Sequence, residues 1–292
     1  MKVHLVDGTY ELFRHYFGAP SHITSEGYEV GATRAVLASM LSLLEQGATH
    51  IGIATDHTIT SFRNELYEGY KDGSDIDPDI SGQFHILEDL LEAAGFIIFP
   101  MVEFEADDAL ASAALRSTVD KRVEQVVICT PDKDLGQCLT PDHKIVQYDR
   151  RKKLEMNYEA IIEKFGVRPE SIPDYLGLMG DTADGFPGLQ GWGAKSSSSV
   201  LAVYNHIEHI PEDPEKWEVS VRGAKKLAAT LNENQSLALL FRQIATLSYD
   251  APTFGSIDEL HWEGPGSDFV QIAEKLDATR LIERAERLAD KS

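Results

Sequence analysis

The 292-residue sequence contains little cysteine, comparatively little positive charge and no long apolar run. Cys129 and Cys138 are too few for a disulfide framework, so a reducing cytoplasm is the expected compartment. Neither cysteine has histidine or cysteine neighbours at the spacing of a zinc site, which argues against structural zinc. No apolar run approaches the length of a membrane span, and the opening segment, MKVHLVDG, is expected to form a strand rather than a signal peptide.

The shortage of positive charge restricts how the protein can meet a nucleic acid. Lysine and arginine number 27 against 48 aspartate and glutamate residues, which gives a formal net charge of −21. Such a balance argues against loose, charge-driven binding to a polyanion. The acidic residues are themselves the most informative feature of the chain.

Apolar patterns predict a two-part α/β protein. Strand-like runs occur at 3–7, 49–56, 96–100, 123–130 and 143–148, with helical spacing at 30–46, 85–95, 105–118 and 133–139. This alternation predicts a mostly parallel central sheet flanked by helices. Later residues favour helices, including 219–231, 234–247 and a tail at 267–290. We therefore expect an α/β core over 1–156 and a helical region over 157–292.

Short acidic motifs follow several of the predicted strands. In parallel sheets the carboxyl ends of the strands meet at one edge, so these carboxylates should converge and repel one another. Clusters of oxygen ligands suit Mg²⁺ or Mn²⁺, ions that usually handle phosphates. Each aspartate has the alternative of capping a helix, but caps need not all be acidic. The predicted metal ligands are Asp7, Asp56, Glu105, Asp107, Asp108, Asp132, Asp134, Asp181 and Asp184.

The motif Asp-Gly-Thr at 7–9 also allows a test for a phosphatase of the haloacid dehalogenase type. That chemistry needs a nucleophilic aspartate two residues before the acid–base aspartate. Leu5 stands at that position and cannot form an aspartyl-phosphate, so this alternative fails.

A glycine-rich turn at 187–196 precedes a predicted helix. Glycines let a backbone approach a phosphate closely, and a helix N-terminus supplies unpaired N–H groups. With the preceding helix the segment predicts a helix–hairpin–helix motif over about 172–210 that contacts a DNA backbone. A tight turn with no ligand remains the alternative. The predicted DNA-binding residues are Gly188, Gly191, Gly193, Lys195 and Ser196.

Taken together, these motifs resemble the bacterial 5′ nuclease family, which includes 5′–3′ exonucleases, flap endonucleases and the N-terminal domain of DNA polymerase I. The resemblance covers nearly the whole chain in order, and no polymerase region follows, so a free-standing form or an isolated nuclease domain is expected. The matching segments are VDG at 6–8, SFRNELYEGYK at 61–71, EADD at 105–108, TPDKDL at 130–135, GDTADGFPGL at 180–189 and GWGAKS at 191–196.

The resemblance implies a resolvase-like or PIN-like core with two Mg²⁺ ions, Mn²⁺ being the substitute. One ion would be surrounded by Asp7, Asp56, Glu105, Asp107, Asp108 and Asp132, and the other by Asp132, Asp134, Asp181 and Asp184. Lys71 matches a lysine that reaches the scissile phosphate; the other matched residues near the site are Arg63, Tyr70 and Arg14. K⁺ at the hairpin is a further cofactor candidate.

The implied function is cleavage of DNA with 5′ flaps, nicks or free 5′ ends during replication and repair, by a cytoplasmic monomer with a DNA polymerase as a candidate partner. Two departures bear on it. The segment of about 60–84 would form an arch that relatives make basic, yet Ser74 replaces a basic residue among several aspartates. Gly185 replaces a common asparagine. A catalytically weak DNA-binding scaffold and a nuclease directed at RNA primers therefore remain alternatives.

Overall fold

The computed structural model describes residues 1–290, which form two compact units. The first, here called the sheet unit, contains residues 1–59, 73–130 and the segment from Tyr249 onwards. The second, the helical unit, contains residues 60–72 and 131–248. Each unit is therefore built from segments that are separate in the sequence.

The secondary structure follows in chain order. The strands are β1 (Lys2–Asp7), β2 (His50–Asp56), β3 (Ile97–Met101), β4 (Gln125–Cys129), β5 (Ile145–Asp149) and β6 (Leu154–Met156). The helices are α1 (Gly8–Gly18), α2 (Gly31–Glu45), α3 (Phe62–Leu66), α4 (Pro78–Ser81), α5 (Phe84–Ala93), α6 (Ala106–Val119), α7 (Tyr158–Phe165), α8 (Ile172–Met179), α9 (Ala194–Tyr204), α10 (Ala224–Glu233), α11 (Gln235–Ala245), α12 (Phe269–Lys275) and α13 (Thr279–Ala289).

The sheet unit contains four parallel strands in the order β3-β2-β1-β4. Nearly every residue of β2 is buried, as expected for a strand whose two faces are both covered by helices. The register pairs Asp7 with Ala54 and Asp56 with Met101, so the strand ends that carry these aspartates lie at one edge. The predicted α/β class with a mostly parallel sheet is confirmed.

The helices of the sheet unit pack by apolar stripes at helical spacing. In α2, Val36, Leu37, Met40 and Leu41 are fully buried, which matches the stripe predicted over 30–46. The C-terminal segment also belongs to this unit, and Arg284 of α13 binds Glu45 of α2 at 2.6 Å. The predicted helical tail is thus two helices, of which α12 packs on α5 and α13 packs on α2.

The helical unit has a core of its own. Leu176, Leu178, Phe186, Leu201 and Phe241 are buried in one apolar cluster, and the rings of Phe186 and Phe241 stack with centroids 5.5 Å apart. Outside the helices, β5 and β6 form a small antiparallel ladder. This core fixes α8 and the loop that follows it, which carries two of the predicted metal ligands.

Most predicted strands and helices are present within a few residues of their expected bounds. Four elements are additions: α1 directly after the first strand, the short helices α3 and α4, and the three-residue strand β6. Cys129 and Cys138 are buried free thiols. Across residues 1–290, no helix combines the length and the hydropathy that crossing a membrane requires. The compact units are made of separate segments and do not test a single division of the chain, so the predicted division at residue 156 stays a prediction.

Candidate metal centre

Asp7 joins β1 to α1. Its Oδ1 accepts a hydrogen bond from the N–H of Tyr10 at 2.8 Å, as a helix cap does. Its Oδ2 accepts from the hydroxyl of Thr130 at 2.9 Å, just beyond the neighbouring strand β4. Asp7 therefore caps a helix and also lies at the carboxyl edge of the sheet.

Asp56 ends β2 at the same edge. Its N–H donates to the hydroxyl of Thr9 at 2.9 Å, and its Oδ1 accepts from the N–H of Ala106 at 2.8 Å. Ala106 is the first residue of α6, and a carboxylate is stabilised at a helix N-terminus by the helix dipole. Asp56 thus links the strand edge to the helix that carries the next acidic motif.

The motif Glu105-Ala106-Asp107-Asp108 forms the start of α6. Glu105 is the cap, and its N–H donates to Oδ2 of Asp108 at 3.0 Å. Glu105 and Asp108 are buried, whereas Asp107 is half-buried. The structure thereby gathers five predicted ligands along one edge of the sheet unit, and their role in holding an ion stays a prediction.

The helical unit contains a tighter carboxylate group. Asp134, Asp181 and Asp184 each offer one oxygen, and these oxygens all lie within 4.8 Å of one another. A closed loop positions two of them, because Asp181 and Phe186 exchange backbone hydrogen bonds of 2.8 and 3.0 Å. Asp132 lies beside the group; it is exposed, and its Oδ1 accepts from the N–H of Asp134 at 2.9 Å.

A lysine lies inside this group. The ammonium of Lys133 binds Asp181 and lies 3.7 Å from Oδ1 of Asp134. Burial disfavours the ammonium, but the neighbouring charges of Asp134 and Asp181 outweigh it, so the pKa of Lys133 is raised. The ammonium of Lys133 does not outweigh the burial of Asp134 and the charges of the neighbouring carboxylates. Burial, together with the charges of Asp132 and Asp184, accordingly raises the pKa of Asp134 well above its ordinary value.

The group fits a divalent metal by its donor chemistry. Oδ1 of Asp134 is buried and has no hydrogen-bond partner within residues 1–290. A buried carboxylate oxygen without a hydrogen bond is costly, and a cation would satisfy it. The donors are all oxygens, which suits hard ions such as Mg²⁺ and Mn²⁺.

Lys71 lies against the same carboxylate group. Its Nζ is 2.9 Å from Oδ1 of Asp184, and its N–H donates to the carbonyl of Asp184 at 3.1 Å. The Nζ also lies 5.5 Å from the ring centroid of Tyr70, which is buried in the core of the helical unit. The Lys71 side chain is 38% exposed, so its ammonium can reach a ligand in solvent.

The close approach of Gly69 to the loop after α8 explains why Gly185 replaces the asparagine that is common in the family. Gly185 has a φ of +86°, and a Cβ there would lie 2.2 Å from the carbonyl oxygen of Gly69. Asparagine tolerates the left-handed backbone but not this approach. The backbone beside Lys71 therefore requires glycine at position 185.

Arg63 and Arg14 make internal contacts. Arg63 is 1% exposed, and its guanidinium donates to the carbonyls of Ile244 at 2.8 Å and Thr246 at 3.2 Å, at the end of α11. Arg14 binds Glu11, which is fully buried in α1. These bonds give both arginines structural roles. The substrate contacts implied by the resemblance stay predictions.

The glycine-rich turn connects α8 to α9. Gly188 has a φ of +67°, and a Cβ there would lie 2.3 Å from the nitrogen of Gly180, so the two ends of the loop pack backbone on backbone. Gly191 is exposed in the turn, and Gly193 caps α9, where its N–H donates to the hydroxyl of Ser196 at 3.0 Å. Lys195 is exposed in the first turn of α9. The turn joins two helices, as expected, and the helix–hairpin–helix motif and its ligand stay predictions.

Sequence reasoning missed the side chains that hold the carboxylates. Lys133 stands between two aspartates in the sequence, but this pattern alone assigns it no role. Thr130 and Thr9 were part of the quoted motifs, yet nothing in the sequence shows that their hydroxyls bind Asp7 and the backbone of Asp56. An ammonium flanked by acidic residues is the one signal that could have been used.

Comparison with known proteins defines the class. A model described as the 5′-3′ exonuclease N-terminal resolvase-like domain matches residues 2–166, and one described as the 5′-3′ exonuclease C-terminal SAM fold matches residues 167–268. The protein is thus a resolvase-like α/β domain followed by a helical SAM-like fold. The chain belongs to the 5′-3′ exonuclease family, and the resemblance stated above is confirmed.

Individual relatives agree with this assignment. DNA polymerase I of Bacillus subtilis is 31% identical over 289 residues, which are 97% of this chain and 32% of the polymerase. The 5′-3′ exonuclease of Aquifex aeolicus is 30% identical over 226 residues, 77% of each protein. The chain therefore spans about a third of the length of the polymerase relative.

Solved structures share the fold. The T5 D15 protein co-crystallised with metal ions superposes with a TM-score of 0.65 at 18% identity, over 99% of this chain and 100% of that one. The catalytic core of Rad2 in complex with DNA substrate superposes with a TM-score of 0.62 at 15% identity, over 98% and 92%. At these identities the likeness establishes the fold alone.

Proposed function

We propose that this chain is a divalent-metal-dependent 5′ nuclease that hydrolyses DNA phosphodiesters at 5′ flaps, nicks and free 5′ ends. The observation that carries the proposal is the group of Asp134, Asp181 and Asp184 with Lys71 held on Asp184. Oxygen ligands for a metal and a reachable ammonium together suit a reaction at phosphate. Family membership supports this choice over other phosphate chemistry.

Mg²⁺ is the proposed ion, with Mn²⁺ as its substitute. Asp132, Asp134, Asp181 and Asp184 would hold one ion, and the carboxylates at the edge of the sheet unit would contribute to a second. Bound metals of this kind supply Lewis-acid stabilisation of phosphoryl oxygens and a more acidic water. A structural relative, the T5 D15 flap endonuclease, has been solved with DNA and metal ions.

The two lysines have different tasks in this proposal. Lys133 is an internal counter-ion, because its ammonium binds Asp181 and lies near Asp134. Lys71 is more exposed, and its ammonium would exchange Asp184 for a phosphate oxygen of the substrate. Lys71 would then orient the phosphate and stabilise the charge that develops on it.

The turn between α8 and α9 is the proposed contact to a DNA backbone. The first turn of α9 presents backbone N–H groups and the exposed Lys195, which together favour an anion. Such contacts position a duplex without reading its sequence. K⁺ at the turn remains a candidate cofactor.

The cellular setting is inferred from relatives. Because the polymerase relatives carry this region as part of DNA polymerase I, we infer a role beside a DNA polymerase in replication or repair. A monomer in a reducing cytoplasm is the corresponding expectation, given the two buried free cysteines.

The test is cleavage of end-labelled 5′-flap, nicked and single-stranded DNA, each with Mg²⁺ or Mn²⁺. Asp181→Asn keeps the shape of the side chain but removes the negative charge of a metal ligand, so we expect a loss of cleavage of about a thousandfold, since metal coordination contributes several kcal/mol to such reactions. Asp268→Asn, an exposed aspartate in the sheet unit, is the matched control and should cleave like the wild type.

Other outcomes would select the alternatives. Binding of flap DNA without cleavage in any metal would identify a scaffold, which the acidic residues Asp72, Asp75, Asp77 and Asp79 favour because they weaken phosphate steering. Faster cleavage of RNA-primed ends than of DNA ends would identify a primer-directed nuclease. Equal cleavage by Asp181→Asn and the wild type would contradict the metal centre itself.

A further inference from the structure

The sheet unit contains a second group of potential metal ligands, made of two imidazoles and one carboxylate. His57 directly follows β2, and His85 and Glu88 lie one turn apart near the start of α5. Each offers one ligand atom, and these atoms all lie within 4.8 Å of one another. The group has no part in the nuclease chemistry proposed above.

The carboxylate is already oriented. Glu88 is 8% exposed, and its Oε1 accepts a hydrogen bond from the hydroxyl of Thr55 at 2.6 Å. Its other oxygen, Oε2, faces the two histidines. A hydroxyl that binds the outer oxygen of a ligand carboxylate is the usual second layer of a metal site.

The histidines share one acceptor. Oε2 of Glu88 lies 2.7 Å from Nδ1 of His57 and 3.5 Å from Nδ1 of His85. The first distance is a hydrogen bond, and the second is too long for a good one. The two rings nevertheless lie close, with centroids 4.3 Å apart. A single oxygen thus does not satisfy both imidazoles, whereas a shared cation would.

We propose that His57, His85 and Glu88 form a binding site for a divalent transition ion of the Zn²⁺ class. Two histidines and one carboxylate are a common ligand set for zinc, and imidazole nitrogen selects such ions over Mg²⁺. Tetrahedral coordination at zinc separates ligand atoms by roughly 3.4 Å. The 3.5 Å distance fits this value, and the 2.7 Å hydrogen bond would lengthen on binding.

The fourth position would be open to water. His57 and His85 are 40% and 63% exposed in their side chains, so an ion can enter from solvent, and His85 can adjust its position. A bound ion would tie the end of β2 to the first turn of α5. Between these two places the chain leaves the sheet unit after residue 59 and returns to it at residue 73.

The test measures binding of Zn²⁺ and Co²⁺ to the full chain by calorimetry in excess Mg²⁺, which occupies the oxygen ligands. We expect one Zn²⁺ per chain, visible Co²⁺ absorption typical of four ligands, and a rise in melting temperature with Zn²⁺. His85→Ala removes an exposed ligand without disturbing the core and should weaken Zn²⁺ binding at least tenfold. Glu88→Gln keeps the bond to Thr55 and should also weaken binding.

His143→Ala is the matched control, because His143 pairs with Glu159 at 2.7 Å and the pair belongs to no three-ligand group found within residues 1–290. It should bind Zn²⁺ like the wild type. The proposal is overturned if the wild type binds no Zn²⁺ in Mg²⁺, or if His85→Ala binds it equally well. Binding that survives His85→Ala but disappears in Asp181→Asn would assign the ion to the carboxylates instead. None of these readouts depends on nuclease activity.

Discussion

The two units differ in whether lysines take part in holding their acidic residues. At the sheet edge, Asp7 and Asp56 accept hydrogen bonds from backbone N–H groups, and Asp7 also from the hydroxyl of Thr130. In the helical unit, Asp181 and Asp184 pair with the ammonium groups of Lys133 and Lys71. Neutral donors satisfy a carboxylate in place, whereas a lysine can leave when another cation or a phosphate arrives. We therefore expect the acidic group of the helical unit to respond more strongly to ligands than the acidic residues of the sheet edge.

Of the substitutions that test this difference between the units, removal of Lys71 should have the largest effect. Lys71→Met should lower the single-turnover rate of flap cleavage about a hundredfold, because it removes a cation from the phosphate. The melting temperature should change little, since a partly exposed ion pair contributes at most about 1 kcal/mol.

The control for Lys71 is Lys121→Met, an exposed lysine of the sheet unit. Cleavage at the same rate by both variants would show that Lys71 is only a surface partner of Asp184. A large loss of stability in Lys71→Met would instead show that the pair is structural.

Removal of Lys133 should lower the stability of the protein by an amount that depends on whether metal is present. Without metal, Lys133→Met leaves Asp181 and Asp134 without their counter-ion and should lower the free energy of unfolding by about 2 kcal/mol. Mg²⁺ binds the folded carboxylates and should restore most of this loss. Urea unfolding in EDTA and in Mg²⁺ measures both values, and an equal loss in the two buffers would contradict the role of Lys133 as an internal cation.

Removal of a neutral donor should give the smallest effect and no metal dependence. Thr130→Val keeps the shape of the side chain but removes the hydroxyl that binds Oδ2 of Asp7. We expect a loss of about 1 kcal/mol in the free energy of unfolding, alike in EDTA and in Mg²⁺. If Mg²⁺ abolished the loss, the carboxylates of the sheet edge would be as responsive as those of the helical unit, and the contrast would fail.

The sequence could predict the elements whose signal is local. The strands β1 to β5 are apolar runs. Asp7 and Asp56 are the last residues of β1 and β2, and the parallel pairing of the strands brings these ends to one edge of the sheet. Helix α1 was missed because Glu11 and Arg14 occupy its middle, where the fully buried Glu11 interrupts the apolar pattern. Strand β6 was missed because it is short and largely exposed.

The missing parts of the site are long-range contacts. Lys133 meets Asp181 across 48 residues, and Thr130 meets Asp7 across 123. Neither a periodic pattern nor a short motif can predict contacts between residues so far apart in the sequence. The return of α13 to α2 is of the same kind, since it joins residues near both ends of the chain.

The buried Arg63 has a consequence for the order in which the protein folds. Its bond to the carbonyl of Ile244 spans 181 residues and closes the helical unit, whose residues 60–72 precede the rest of that unit by a long insertion. During synthesis from the N-terminus, α3 is made long before α11 exists. Helix α3 therefore cannot form this bond until Ile244 has been synthesised. We expect the core of the helical unit to form late in folding, because it depends on contacts between distant residues.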